Sequence, residues 1–176
     1  MPSLEAIDLS LPCGNISSGG MVPFKGGREI LETHQDHLKS LALGLVLDRV
    51  IGSAAHAFFS QEWCSVRLPH LSYLIICIPG VSISPELHIY IQQLSSSLIY
   101  LKIMHAPLSD YFGNSELESF CGILADFPYL QDLSLCLSNF KIGQLLVFAN
   151  TLPHLLSLHI DYSCYQPDKR DLVSCL

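Results

Sequence analysis

The chain has 176 residues, of which 49% are hydrophobic and only 14% charged, with a net charge of −7 and a pI near 5.5. That composition excludes a disordered chain, and its acidity argues against a nucleic-acid surface, which needs a basic patch. A chain of this length can bury a real core in one domain, taken as residues 1–176.

Residues 1–11 read as a first strand, with Leu4, Ile7 and Leu9 apolar. No polar cap precedes it, so the expectation is a fragment of a longer repeat array. Residues 12–27 are rich in Gly, Ser and Pro and read as a loop. Residues 28–37 predict a short helix with Ile30, Leu31 and His34 on its inner face. Residues 38–45 read as the second strand. Residues 49–63 predict a helix that turns Val50, Ala54, Ala57, Phe58 and Trp63 to the sheet.

Residues 71–78 read as the third strand. Ser84-Pro85-Glu86 is a helix start, with a Ser cap, Pro at the first helical position and an acid in the first turn. Leu87, Ile91 and Leu94 then form a buried stripe. Residues 98–105 read as the fourth strand, and Ser115 with Glu118 as a capping box. Leu117, Phe120, Cys121 and Leu124 form the next stripe, and residues 130–137 the fifth strand. Ile142, Leu145, Leu146 and Ala149 predict another helix, and residues 155–162 the sixth strand. Residues 166–176 are polar, so no amphipathic cap is expected after it.

The strands repeat one another. L-x-x-[LI]-x-[LI] begins at Leu4, Leu38, Leu71, Leu98, Leu130 and Leu155, at spacings of 34, 33, 27, 32 and 25 residues. Pro2, Pro69, Pro128 and Pro153 each stand two residues before the first Leu. On these residues the chain resembles the leucine-rich repeat family, over nearly its whole length. The usual Asn or Cys after the strand is mostly missing. The irregular periods are similar to the divergent repeats found behind F-box domains in many fungal proteins. The resemblance implies an α/β solenoid arc of about six strand–helix units, with a parallel sheet on its concave face. It also implies a non-catalytic module that binds a protein partner there, as the substrate-recognition part of an F-box-type ubiquitin ligase subunit. No F-box is visible in the chain. The alternative is a stand-alone scaffold or inhibitor.

The period of two along a strand sends alternate residues to the face opposite the recurring Leu and Ile. The middle outward row is Asp8, Ala42, Ile75, Lys102, Ser134 and His159. The row two residues earlier is Ala6, Ser40, Tyr73, Tyr100, Asp132 and Ser157, and the row two later includes Gly44, Cys77, Met104, Cys136 and Asp161. The candidate partner-binding residues are Tyr73, Ile75, Tyr100, Lys102, Met104, Asp132 and His159, since aromatics and Met are enriched at protein contacts. The other reading of this patch is a surface covered by a neighbouring domain or loop.

A hydrolase can be drawn from Ser134 or Cys136 with His159 as base and Asp161 as acid. It lacks an oxyanion hole and a nucleophile turn, so no catalytic residue is assigned. Of the eight His, His34 and His37 with Asp36 and Glu32 form the densest cluster, but no third and fourth ligand follow at useful spacing, so neither a metal nor a cofactor is expected. His37, His70 and His154 share one repeat position, which suggests a structural role accepting a backbone hydrogen bond. Seven Cys without a C-x-x-C pair suggest free thiols in a reducing, cytoplasmic or nuclear compartment, with Cys77 and Cys136 two strands apart and too far for a bridge. Neither a signal peptide nor a membrane span is legible.

Overall fold

The computed structural model describes residues 4–13, 26–47, 62–77, 85–94, 97–104, 114–136 and 141–161. Most of the helix expected over 49–63 lies outside these residues, as do the loop after the first strand and the polar residues 166–176.

Six strands form one parallel sheet in chain order. They are β1 (Ala6–Cys13), β2 (Ser40–Leu47), β3 (Tyr73–Cys77), β4 (Tyr100–Met104), β5 (Asp132–Cys136) and β6 (Ser157–Asp161). Helices alternate with them: α1 (Gly27–His34), α2 (Pro85–Gln92), α3 (Asn114–Leu124) and α4 (Leu145–Thr151). Short 3-10 turns occupy Glu62–Ser65 and Ile142–Gln144. The sheet is open, with β1 and β6 at its edges.

The proline motif has a hydrogen-bonded cause. In each of three repeats the residue before Pro accepts from the N–H three residues later: Leu71 to Leu68 at 3.2 Å, Leu130 to Phe127 at 3.1 Å and Leu155 to Leu152 at 3.1 Å. Pro69, Pro128 and Pro153 therefore occupy the first corner of a β-turn, where a fixed φ near −65° is already correct. Leu68, Phe127 and Leu152 are buried and plug the helix side of that turn. The fourth repeat has no proline there. Ser97 instead donates its hydroxyl back to the preceding turn, to the Leu71 carbonyl at 3.0 Å and the Pro69 carbonyl at 3.3 Å.

The strands begin two residues later than the sequence pattern suggests, because the first Leu of each motif belongs to the turn. A second recurrent device follows it. One carbonyl accepts two successive N–H groups from the next strand: Ser72 and Tyr73 both donate to Lys39, Ile99 and Tyr100 to Ser72, and Gln131 and Asp132 to Ile99. Two residues are thereby spent against one, as in a bulge. This explains why the first and second Leu, three apart, both point inward although a strand alternates by two. Beyond this point alternation is regular, and β3 and β4 both alternate outward, buried, outward, buried, outward.

The core is continuous from Leu31 to Leu152 and joins the inward strand residues to the helix stripes. Leu87, Ile91 and Leu94 of the α2 unit are buried, as are Leu117, Phe120, Cys121 and Leu124 of α3. Burial pushes the Cys121 thiol up to about 12. Trp63 packs edge-on against Tyr90, with ring centroids 5.9 Å apart. Helix α3 begins at Asn114, one residue before the Ser115 cap expected from the sequence.

Two helix faces differ from expectation. In α1, Gly27 and Leu31 face inward at the i, i+4 spacing, which rotates Ile30 into solvent. In Ile142–Gln144 and α4 the buried residues are Gln144 and Phe148, again four apart. Ile142, Leu145, Leu146 and Ala149 point outward instead, and Ile142 and Leu146 are 80% and 67% exposed. Gln144 fits the inner position because its side-chain carbonyl accepts the Lys141 N–H at 2.9 Å.

Candidate functional site

The outward face of the sheet carries the candidate residues, and strand register fixes their neighbours. Ser40, Tyr73, Tyr100, Asp132 and Ser157 lie in one row, each in register with the next. Ala42, Ile75, Lys102, Ser134 and His159 form the row above, and Gly44, Cys77 and Met104 follow in a third. Rows and outward parity are those read from the sequence, because the same alternation sends Leu74, Ile76, Leu101, Ile103, Leu133 and Leu135 into the core.

At the centre, the rings of Tyr73 and Tyr100 lie 6.0 Å apart at an interplanar angle of 33°. Tyr73 is 48% exposed, unusual for a large side chain in the middle of a sheet. Such pairs add about 0.5–1.5 kcal/mol beyond burial and fix one another's rotamers. Ile75, Lys102 and Met104 adjoin the pair and are partly buried. Cys77, in the same patch, is a free, half-buried thiol. Its pKa is raised by burial, an effect that the charge of Lys102 partly opposes. Cys77 belongs with the candidate residues, and its outward parity with Tyr73 and Ile75 was the available signal.

Asp132 sits beside Tyr100 in register, half-buried. His159 does not join the central cluster. It is exposed on the edge strand β6, two strands or roughly 10 Å from Lys102, although it stands beside Ser134 in register.

Two expectations are corrected. Cys136 is disulfide-bonded, with a partner outside the described side chains, while Cys64, Cys77 and Cys121 are free. The expectation of free thiols throughout thus fails at Cys136, and a bonded sulfur offers no thiolate nucleophile. The absence of a Cys77–Cys136 bridge is as expected from their strand separation. His37, His70 and His154 are exposed, and among the described residues their rings accept no backbone hydrogen bond. That role falls to His34, whose Nδ1 accepts the Leu4 N–H at 3.4 Å and ties α1 to the approach of β1.

Among the described residues no group of three or more His, Cys, Asp or Glu could hold a metal ion. No helix among them is long and apolar enough to cross a membrane. On the helix side, a hollow of about 250 Å³ is lined by Gln92, Leu94, Ile123, Asp126 and Phe127, with the Asp126 carboxylate as the one ionisable group among the described residues that line it. Compared with known proteins, the chain matches no family model, and no curated protein is significantly similar to it.

Proposed function

We propose that the chain is a leucine-rich-repeat arc whose outward sheet face is concave and binds a protein partner without catalysis. The observation that carries this reading is the Tyr73–Tyr100 pair, in ring contact on the outward face with Tyr73 open to solvent and Ile75 and Met104 beside it. An aromatic anchor within an apolar patch on a regular sheet is suited to desolvation by a partner and loses little side-chain entropy on binding. The repeated turn, bulge-like strand start and helix return support the repeat reading.

Resemblance to the fungal repeats extends the proposal to substrate recognition within an F-box-type ubiquitin ligase subunit. A stand-alone scaffold would use the same face. Hydrolysis is the weaker reading. Ser134 and His159 are neighbours in register, but ladder N–H groups lie in the sheet plane and cannot converge on an oxyanion above its face.

A photocrosslinking amino acid at Ile75, compared with one at the exposed helix position Ile89, tests the proposal. In extract from the source organism, a discrete adduct at position 75, absent at 89 and lost with Tyr73→Ala/Tyr100→Ala, is the expected result. Equal adducts at both positions would overturn it.

A further inference from the structure

The row that contains the tyrosine pair continues into a carboxylate. Tyr73, Tyr100 and Asp132 stand side by side on three consecutive strands, at roughly 4.8 Å per step. Among the described residues the Asp132 carboxylate has no hydrogen-bond or ion-pair partner. Lys102, two residues along β4 from Tyr100, is the nearest cation by register. Asp132 on β5 is thus a half-buried acceptor next to an aromatic pair. In a chain of net charge −7, this carboxylate favours a cationic visitor.

Resting on the partner-binding reading above, we propose that this row reads an arginine side chain from a segment of the partner protein. A guanidinium is planar, so it can stack on the tilted tyrosine rings while its N–H fork reaches Asp132 at the end of the row. The neighbouring Ser157 hydroxyl, next in register, is placed to accept a further N–H. Lysine satisfies this arrangement less well. Its ammonium is a compact, strongly hydrated point charge that neither stacks flat nor pairs in two-pronged fashion. Ile75 and Met104, in the rows above, offer apolar contact for a residue flanking the arginine. The occupant is therefore an arginine with an aliphatic or aromatic neighbour, in a basic segment.

The test is selection of a displayed random dodecapeptide library against the full chain, followed by affinity measurement on synthetic peptides. The expected result is enrichment of one arginine beside an apolar residue. Replacing that arginine by lysine should weaken binding about tenfold, the loss of stacking and of the two-pronged pair. Asp132→Asn should weaken the arginine peptide to a similar degree and abolish its preference over the lysine version. Unchanged circular dichroism and melting temperature would show that Asp132→Asn is folded. Peptides that depend on Tyr73 and Tyr100 but show no arginine preference would overturn the arginine assignment and leave the partner-binding reading standing. A selection that enriches nothing, or only peptides indifferent to Tyr73→Ala/Tyr100→Ala, would overturn both.

Discussion

The fifth and sixth strands carry nearly the same words and meet different fates. Leu130, Leu133 and Leu135 are buried in the fifth unit, whereas Leu155, Leu158 and Ile160 of the sixth are only partly covered. The same holds for the helices. The stripe of α3 is fully buried, while the last unit exposes Ile142 and Leu146, with Leu156 79% exposed nearby. β5 lies between two paired strands, whereas β6 is an edge strand of the sheet, so burial follows position in the sheet as much as sequence.

The comparison can be broken most directly with paired truncations. Leu133→Ala should cost about 2–5 kcal/mol, because a cavity opens between two covered neighbours. Leu158→Ala, already partly solvated, should cost less than half as much in urea denaturation. Equal losses would mean that the sixth unit is as well covered as the fifth. The turns sharpen the point. Pro128→Ala removes a corner residue that restricts the unfolded chain and should cost about 0.4–1 kcal/mol. The same change at Pro153, between the last helix and the edge strand, should cost the same or less.

The inner units also carry a titrating contact. His88 on α2 stacks on Phe120 of α3 with ring centroids 5.9 Å apart, and its Nε2 is buried with no hydrogen-bond partner among the described residues. Burial lowers its pKa below the ordinary value of 6.5. The folded state therefore binds that proton less readily than the unfolded state. Stability is full above about pH 6.5 and is lost as pH falls through 6.5 toward the depressed folded value. The urea midpoint should drop between pH 7.5 and pH 5.5, and His88→Gln should flatten that dependence. The smallest expected effect is at the last unit's exposed surface. Leu156→Lys should change stability by no more than about 0.5 kcal/mol while reducing self-association in light scattering.

What was legible in the sequence follows the same division. The outward rows were legible because every strand repeats the parity of its apolar residues, and Tyr73 beside Tyr100 follows from that parity alone. Strand starts were displaced because the bulge-like pairing of two N–H groups to one carbonyl leaves no residue signature. The face of α4 was misjudged because Ile142, Leu145 and Leu146 are apolar, whereas the inner position went to Gln144, whose amide closes a turn with Lys141. Apolar character indicates the buried side only where something stands ready to cover it. The state of Cys136 was hidden for a different reason, since pairing of an odd set of seven cysteines cannot be read from spacing.

The central claim is that the outward sheet face, through the tyrosine pair, binds a protein. Its most direct test is calorimetric titration of the partner recovered by crosslinking at Ile75 against the native chain and Tyr73→Ala/Tyr100→Ala. Two aromatic anchors lost from the centre of an interface should weaken binding by about a hundredfold or more, with the melting temperature nearly unchanged. Affinity within a few-fold of the native value in a folded double variant would contradict the account.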